Sequence, residues 1–84
     1  MKKIGIGTMN VEEGVTFRCV MMIEKDEDGR ITDIRSDSHD IKDSEVLEVY
    51  KALREIYKDV SDEKLLIRAV VLDYQTRYVD HRHN

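Results

Sequence analysis

An 84-residue chain with 40% hydrophobic and 38% charged side chains, four glycines and no proline fits one folded domain and excludes collagen-like, proline-rich and low-complexity classes. Its 14 basic and 18 acidic groups, net −4, are mixed along the whole length, so neither end reads as a basic arm or an acidic tail. That balance disfavours non-specific binding to a duplex phosphate backbone. A chain this short buries only about 60–65% of its unfolded surface, so a partner or a second copy is expected to supplement a thin core.

Cys19 is the only cysteine, which removes an intramolecular disulfide or a multi-thiolate zinc site and points to the reducing cytoplasm. Met1-Lys2-Lys3 carries the charge of a signal peptide without its apolar run, and no stretch approaches the roughly 18–20 apolar residues of a membrane span. The expectation is a soluble cytoplasmic domain, 1–84, with a flexible tail at 80–84.

Residues 3–8 alternate small and β-branched side chains, with Ile4 and Ile6 on one side, and read as a first strand. Gly5 and Gly7 lack the third glycine and following helix of a dinucleotide fingerprint, and are expected to let another backbone pass close by. Residues 15–24 alternate more clearly: Val15, Phe17, Cys19, Met21 and Ile23 face one way, and Thr16, Arg18, Val20, Met22 and Glu24 the other. Asp28-Gly29 marks a hairpin turn, because both residues tolerate positive φ. A third strand follows at 30–36, and its two isoleucines, Ile31 and Ile34, lie three apart, which requires a bulge or an edge position if both face inward.

Asp43 or Ser44 offers a cap to a helix with Glu45 in its first turn, and Val46, Val49, Tyr50, Leu53, Ile56, Tyr57 and Val60 then repeat at three and four. Glu48, Lys51, Arg54, Glu55 and Lys58 form its solvated face. Residues 65–72 are nearly apolar throughout, as in a strand covered on both faces. Tyr74 and Tyr78, four apart, are compatible with a short C-terminal helix.

These elements assemble into an α+β fold: an antiparallel three-stranded meander, one long crossover helix, and a fourth strand parallel to strand one, in the order 3-2-1-4. With residues 44–53 (Ser-Glu-Val-Leu-Glu-Val-Tyr-Lys-Ala-Leu) and Asp73-Tyr74-Gln75 in place, this layout resembles the first half of the ribonuclease H-like fold. The resemblance implies that Glu45 and Asp73 occupy positions of two metal-binding carboxylates. The family's first strand supplies an acid where this chain has Gly5 to Thr8, and the chain stops before the later helix that carries its last carboxylate. Two acids alone make a poor two-metal site.

Glu45 and Asp73 otherwise read as a helix-dipole residue and a turn residue. His39 with Asp40, and His81 with His83, have metal-ligand chemistry, but in polar and terminal segments they read as solvated. Cys19 reads as a buried, inert thiol. Tyr74, Arg77, Tyr78 and Arg82 concentrate aromatic and cationic groups as nowhere else in the sequence, and are the candidate ligand site for a nucleotide or single-stranded end.

The sequence therefore favours a non-catalytic binding or inhibitory module, without cofactor or metal, that sequesters a nucleotide-type ligand or blocks a protein partner; a role for a mobile element against host defence is one setting for such a module. A structural subunit of a larger assembly, or a reduced ribonuclease H-like nuclease, are the alternatives. Counting layers adds a homo-oligomer with Val20 and Met22 near the interface, because one helix cannot cover both faces of a sheet.

Overall fold

The computed structural model describes residues 2–79. Along the chain run β1 (Lys2–Glu12), β2 (Val15–Lys25), β3 (Ile31–Ser36), α1 (Asp43–Ile56) and α2 (Asp62–Tyr74), followed by a π-helical turn, Gln75–Val79. The expected tail at 80–84 lies outside the described residues.

β1, β2 and β3 form an antiparallel meander in the order β1-β2-β3. β2 is the regular central strand, and its odd residues Phe17, Cys19, Met21 and Ile23 are buried while Thr16, Arg18 and Glu24 are exposed. The extra residues all sit on the edge strands. In β1 the pairing steps from Gly5–Val20 to Gly7–Cys19, leaving Ile6 as the bulge. That step switches which residues face the core, from Ile4 opposite Met21 to Met9 opposite Phe17. Gly7 adopts φ +82°, whereas a Cβ placed on Gly5 or Gly7 would meet nothing within 4 Å. Positive φ at the bulge, rather than the expected close backbone approach, is what Gly7 provides.

The Asp28-Gly29 turn forms as expected, with Gly29 at φ +82° and Asp26 Oδ1 accepting from the N–H groups of Asp28 and Arg30, both at 2.9 Å. β3 carries the expected bulge: Asp33 pairs with Glu24 and Ile31 with Lys25, so Ile31 and Ile34 are both buried.

α1 starts at Asp43, but its N-cap is Lys42, without a side-chain cap; Asp43 instead accepts from the Ser36 N–H at 3.1 Å. The apolar stripe is shorter than the spacing predicts. Val46 and Tyr50 are buried and Leu47, Val49 and Leu53 half-buried, while the helix ends at Ile56, leaving Ile56 and Tyr57 68% and 50% exposed.

The expected fourth strand at 65–72 is helix α2, so the parallel strand and the order 3-2-1-4 are corrected to a three-stranded sheet with two helices among the described residues. The physical reason lies just upstream. Ser61 is an N-cap whose hydroxyl accepts from the Lys64 N–H, and Asp62 and Glu63 complement the dipole of the first turn. Leu65, Leu66, Ala69, Val70 and Asp73 then fall at helical spacing and are buried. The continuous apolar run is a helix pressed into the crevice beside α1, not a strand enclosed on two faces.

α2 lies over β1 and α1 over β3, and a single core joins Met21, Ile23, Val11, Val46, Leu66 and Val70. Both helices thus cover the same sheet face. The thinnest dimension, 19 Å, is that of one helix layer on one sheet layer. Among the described residues no helix is long and apolar enough to cross a membrane.

Candidate interaction surface

With both helices on one side, the even residues of β2 form the spine of an uncovered face. Arg18 and Glu24 are exposed, and Val20 and Met22 are half-buried between them. Register places Thr8 beside Arg18, Gly5 beside Val20, Arg35 beside Met22 and Asp33 beside Glu24. Asp37 extends the ladder past β3: its N–H donates to Val20 O, and its Oδ1 accepts from the Val20 N–H, both at 3.0 Å. Val20, Met22, Arg35, Ser36 and Asp37 line an open depression of about 330 Å³. This face thus has an apolar centre between charged ends.

The sequence-predicted ligand site is brought together in part. The Tyr74 ring packs against Phe17 on the sheet (5.7 Å between centroids) and against Tyr78 (4.7 Å), both tilted by about 50°. Arg77 reaches the same end of the molecule, while Arg82 lies outside the described residues. The Arg77 Nε–H donates to Asp73 Oδ2 at 3.0 Å, an interaction that raises the guanidinium's affinity for its proton. The same buried oxygen accepts the Lys42 N–H at 3.0 Å, so Asp73 ties the start of α1 to the end of α2. Gln75 Nε2 donates to Val11 O at 3.3 Å and fixes the π turn to β1. Tyr74 is thus engaged on the sheet and by Tyr78, and Arg77 by an acid; of the two stacked rings Tyr78, 39% exposed, is the more accessible.

Glu45 and Asp73, the acids singled out by resemblance, both act electrostatically on Arg77. Among the described residues no group of three or more His, Cys, Asp or Glu side chains is placed to hold a metal ion. His39 is exposed, and His81 and His83 lie outside the described residues. Burial pushes the Cys19 thiol up, partly countered by a hydrogen bond with Ser36, which disfavours the reactive thiolate.

A third cluster was not legible in the helix pattern, which assigns Arg54 to the solvated face. Asp62, the first residue of α2, accepts from Tyr50 Oη at 2.7 Å and Arg54 Nη2 at 2.6 Å, and pairs with Lys25 Nζ at 3.3 Å. Arg54 also donates from Nη1 to the carbonyls of Tyr57 and Lys58 and lies 5.8 Å from the Tyr50 ring centroid. Burial alone would raise the Asp62 pKa, but the hydrogen bonds from Tyr50 and Lys25 and the charges of Arg54 and Lys25 outweigh it and hold the carboxyl below its ordinary value. Burial, together with the neighbouring Asp62 carboxylate, raises Tyr50. The groove beside this cluster, about 720 Å³, is flanked by Arg30, Lys51 and Lys58 but also by Asp26, Glu48 and Glu55. Its mixed charge and its internally paired Arg54 make it a brace joining the end of β2, α1 and the start of α2. The sequence signal for it was the Ser61-Asp62-Glu63 helix start.

No protein-family model, no curated protein and no solved structure matches this chain.

Proposed function

We propose that this protein is a non-catalytic binding module that works through the uncovered face of its sheet, blocking or assembling with a protein partner and forming a homo-oligomer. The observation that carries this reading is the placement of both helices on one face, which leaves Val20 and Met22 half-buried between Arg18 and Glu24 on the other. The use of the acids supports the non-catalytic part: Asp73 and Asp62 are each consumed by two or more structural partners. A single, buried thiol fits the reducing cytoplasm as its compartment.

The test is native mass spectrometry of the protein purified from its own cells, beside a Val20→Asp/Met22→Asp variant checked for native fold by circular dichroism. The expected result is an assembly larger than the 9.9 kDa chain that the variant lacks. An assembly unchanged in the variant, or a bare 9.9 kDa species here together with a monomer in sedimentation equilibrium up to about 1 mM, would refute the assignment of this face. A co-purifying small molecule lost on Tyr78→Ala and retained in the face variant would instead favour the nucleotide-type reading at Tyr74, Arg77 and Tyr78.

A further inference from the structure

The charge order along β2 says more about the occupant of the open face. Going along the strand the face reads Arg18, Val20, Met22, Glu24, so a cation and an anion stand equally far from the midpoint of the Val20–Met22 pair. The neighbouring ladder carries a cation–anion pair in the reverse order, also symmetric about Met21: Arg35 of β3 lies level with Met22, and Asp37, just past β3, level with Val20. A two-fold axis in the plane of the interface and perpendicular to β2, passing level with Met21, exchanges these positions. It sets Arg18 of one copy over Glu24 of the other, Val20 over Met22, and Arg35 over Asp37, each contact occurring twice, as an isologous interface requires.

The geometry points to a face-to-face dimer of this chain in that register, an inference that rests on the open sheet face being the binding surface proposed above. Stacked sheets lie about 10 Å apart, a gap that an arginine and a glutamate from opposite copies span together. The usual rotation of about 30° between aligned sheets displaces a residue 10 Å from the axis by about 5 Å, within the reach of Arg18. Beside Val20 the neighbouring strand has Gly5, where a Cβ would meet nothing within 4 Å, which leaves a hollow for the partner's Met22. On the other side lies the depression bordered by Arg35 and Asp37.

The footprint is modest. Three strands at 4.8 Å spacing and about 20 Å from Arg18 to Glu24 give roughly 300 Å² per copy, below the roughly 800 Å² of a standard interface. The dimer is therefore weak and reversible, and is loosened by salt because four of its contacts are exposed ion pairs.

A charge exchange tests the register. Sedimentation equilibrium of the recombinant chain from about 10 μM to 1 mM, a range suited to a weak dimer, is compared for wild type, Arg18→Glu, Glu24→Arg, the double exchange and Met22→Asp, with circular dichroism confirming each fold. Each single exchange faces like charges twice across the axis and is expected to weaken dimerisation at least about tenfold, and the double exchange to restore it to within about threefold. A wild-type dimer that Met22→Asp abolishes but the double exchange does not restore would overturn this register and leave the face as the binding surface. A dimer indifferent to Met22→Asp, as an edge-to-edge pairing through β1 would be, overturns both. A monomer up to 1 mM overturns self-pairing, while an assembly with another protein in the purification from native cells would uphold the face.

Discussion

Replacing Asp62 with alanine removes an acceptor shared by three side chains from two other elements, Tyr50 and Arg54 of α1 and Lys25 of β2. Tyr50 is 2% exposed, so its hydroxyl, once orphaned, costs about 1–3 kcal/mol. Arg54 and Lys25 have side chains 24% and 37% exposed, so solvent screening holds each lost ion pair below about 1 kcal/mol. Loss of an acid from the first turn of α2 adds a few tenths more. The expected total is about 2–4 kcal/mol, read as a lower urea midpoint at unchanged slope. In a Tyr50→Phe background no hydroxyl is left to orphan, and the same substitution should cost about 1–3 kcal/mol less. Acid should erase the difference. Because the Asp62 carboxyl is held below its unfolded value, its contribution is complete above the unfolded pKa near 3.9 and is lost as pH falls through the lower folded value. An Asp62→Ala cost under about 0.5 kcal/mol, or an equal cost in both backgrounds, would refute the brace.

Tyr50 titrates in the opposite direction: its raised pKa makes the folded chain favour the neutral phenol, so stability should hold below pH 10 and decline above it. Tyr50→Phe should flatten that alkaline decline in pH-dependent melts. Leu66→Ala, at a fully buried position of α2, should cost about 2–5 kcal/mol, Leu53→Ala, half-buried, about 1–2, and Lys51→Ala less than about 0.5; an inverted order in denaturant melts would mean the helix faces are misassigned. Gly7→Ala should cost about 1 kcal/mol or more through its positive φ, and Gly5→Ala less, despite the similar open space around them. With Mg²⁺ or Mn²⁺ we expect no cleavage of an RNA–DNA hybrid; activity that survives repurification and disappears on Glu45→Gln would establish the ribonuclease H-like alternative.

The local signals were legible wherever one residue type forces one conformation. The alternation of β2 placed Phe17, Cys19, Met21 and Ile23 on the covered face and Val20 and Met22 on the other. Asp28-Gly29 gave the hairpin, and the three-residue spacing of Ile31 and Ile34 demanded the bulge that the register contains. Residues 65–72 have the composition of an enclosed strand but form a helix, because a run apolar on every side carries no period and the two look alike there. The capping chemistry at Ser61-Asp62-Glu63 is the deciding signal.

By itself, the sequence determined the two hairpins, the covered and uncovered sides of the central strand, and the amphipathic character of α1, since each follows from side-chain period or turn chemistry within a dozen residues. Only the tertiary structure decided that α2 lies beside α1 on the same sheet face, that Asp62 and Asp73 serve as ties between elements, and that Tyr74 packs between Phe17 and Tyr78. Those contacts join residues such as Val11 and Gln75, 64 positions apart, and which face a second helix covers depends on where its predecessor leaves apolar surface exposed, a property of the packed whole rather than of any segment.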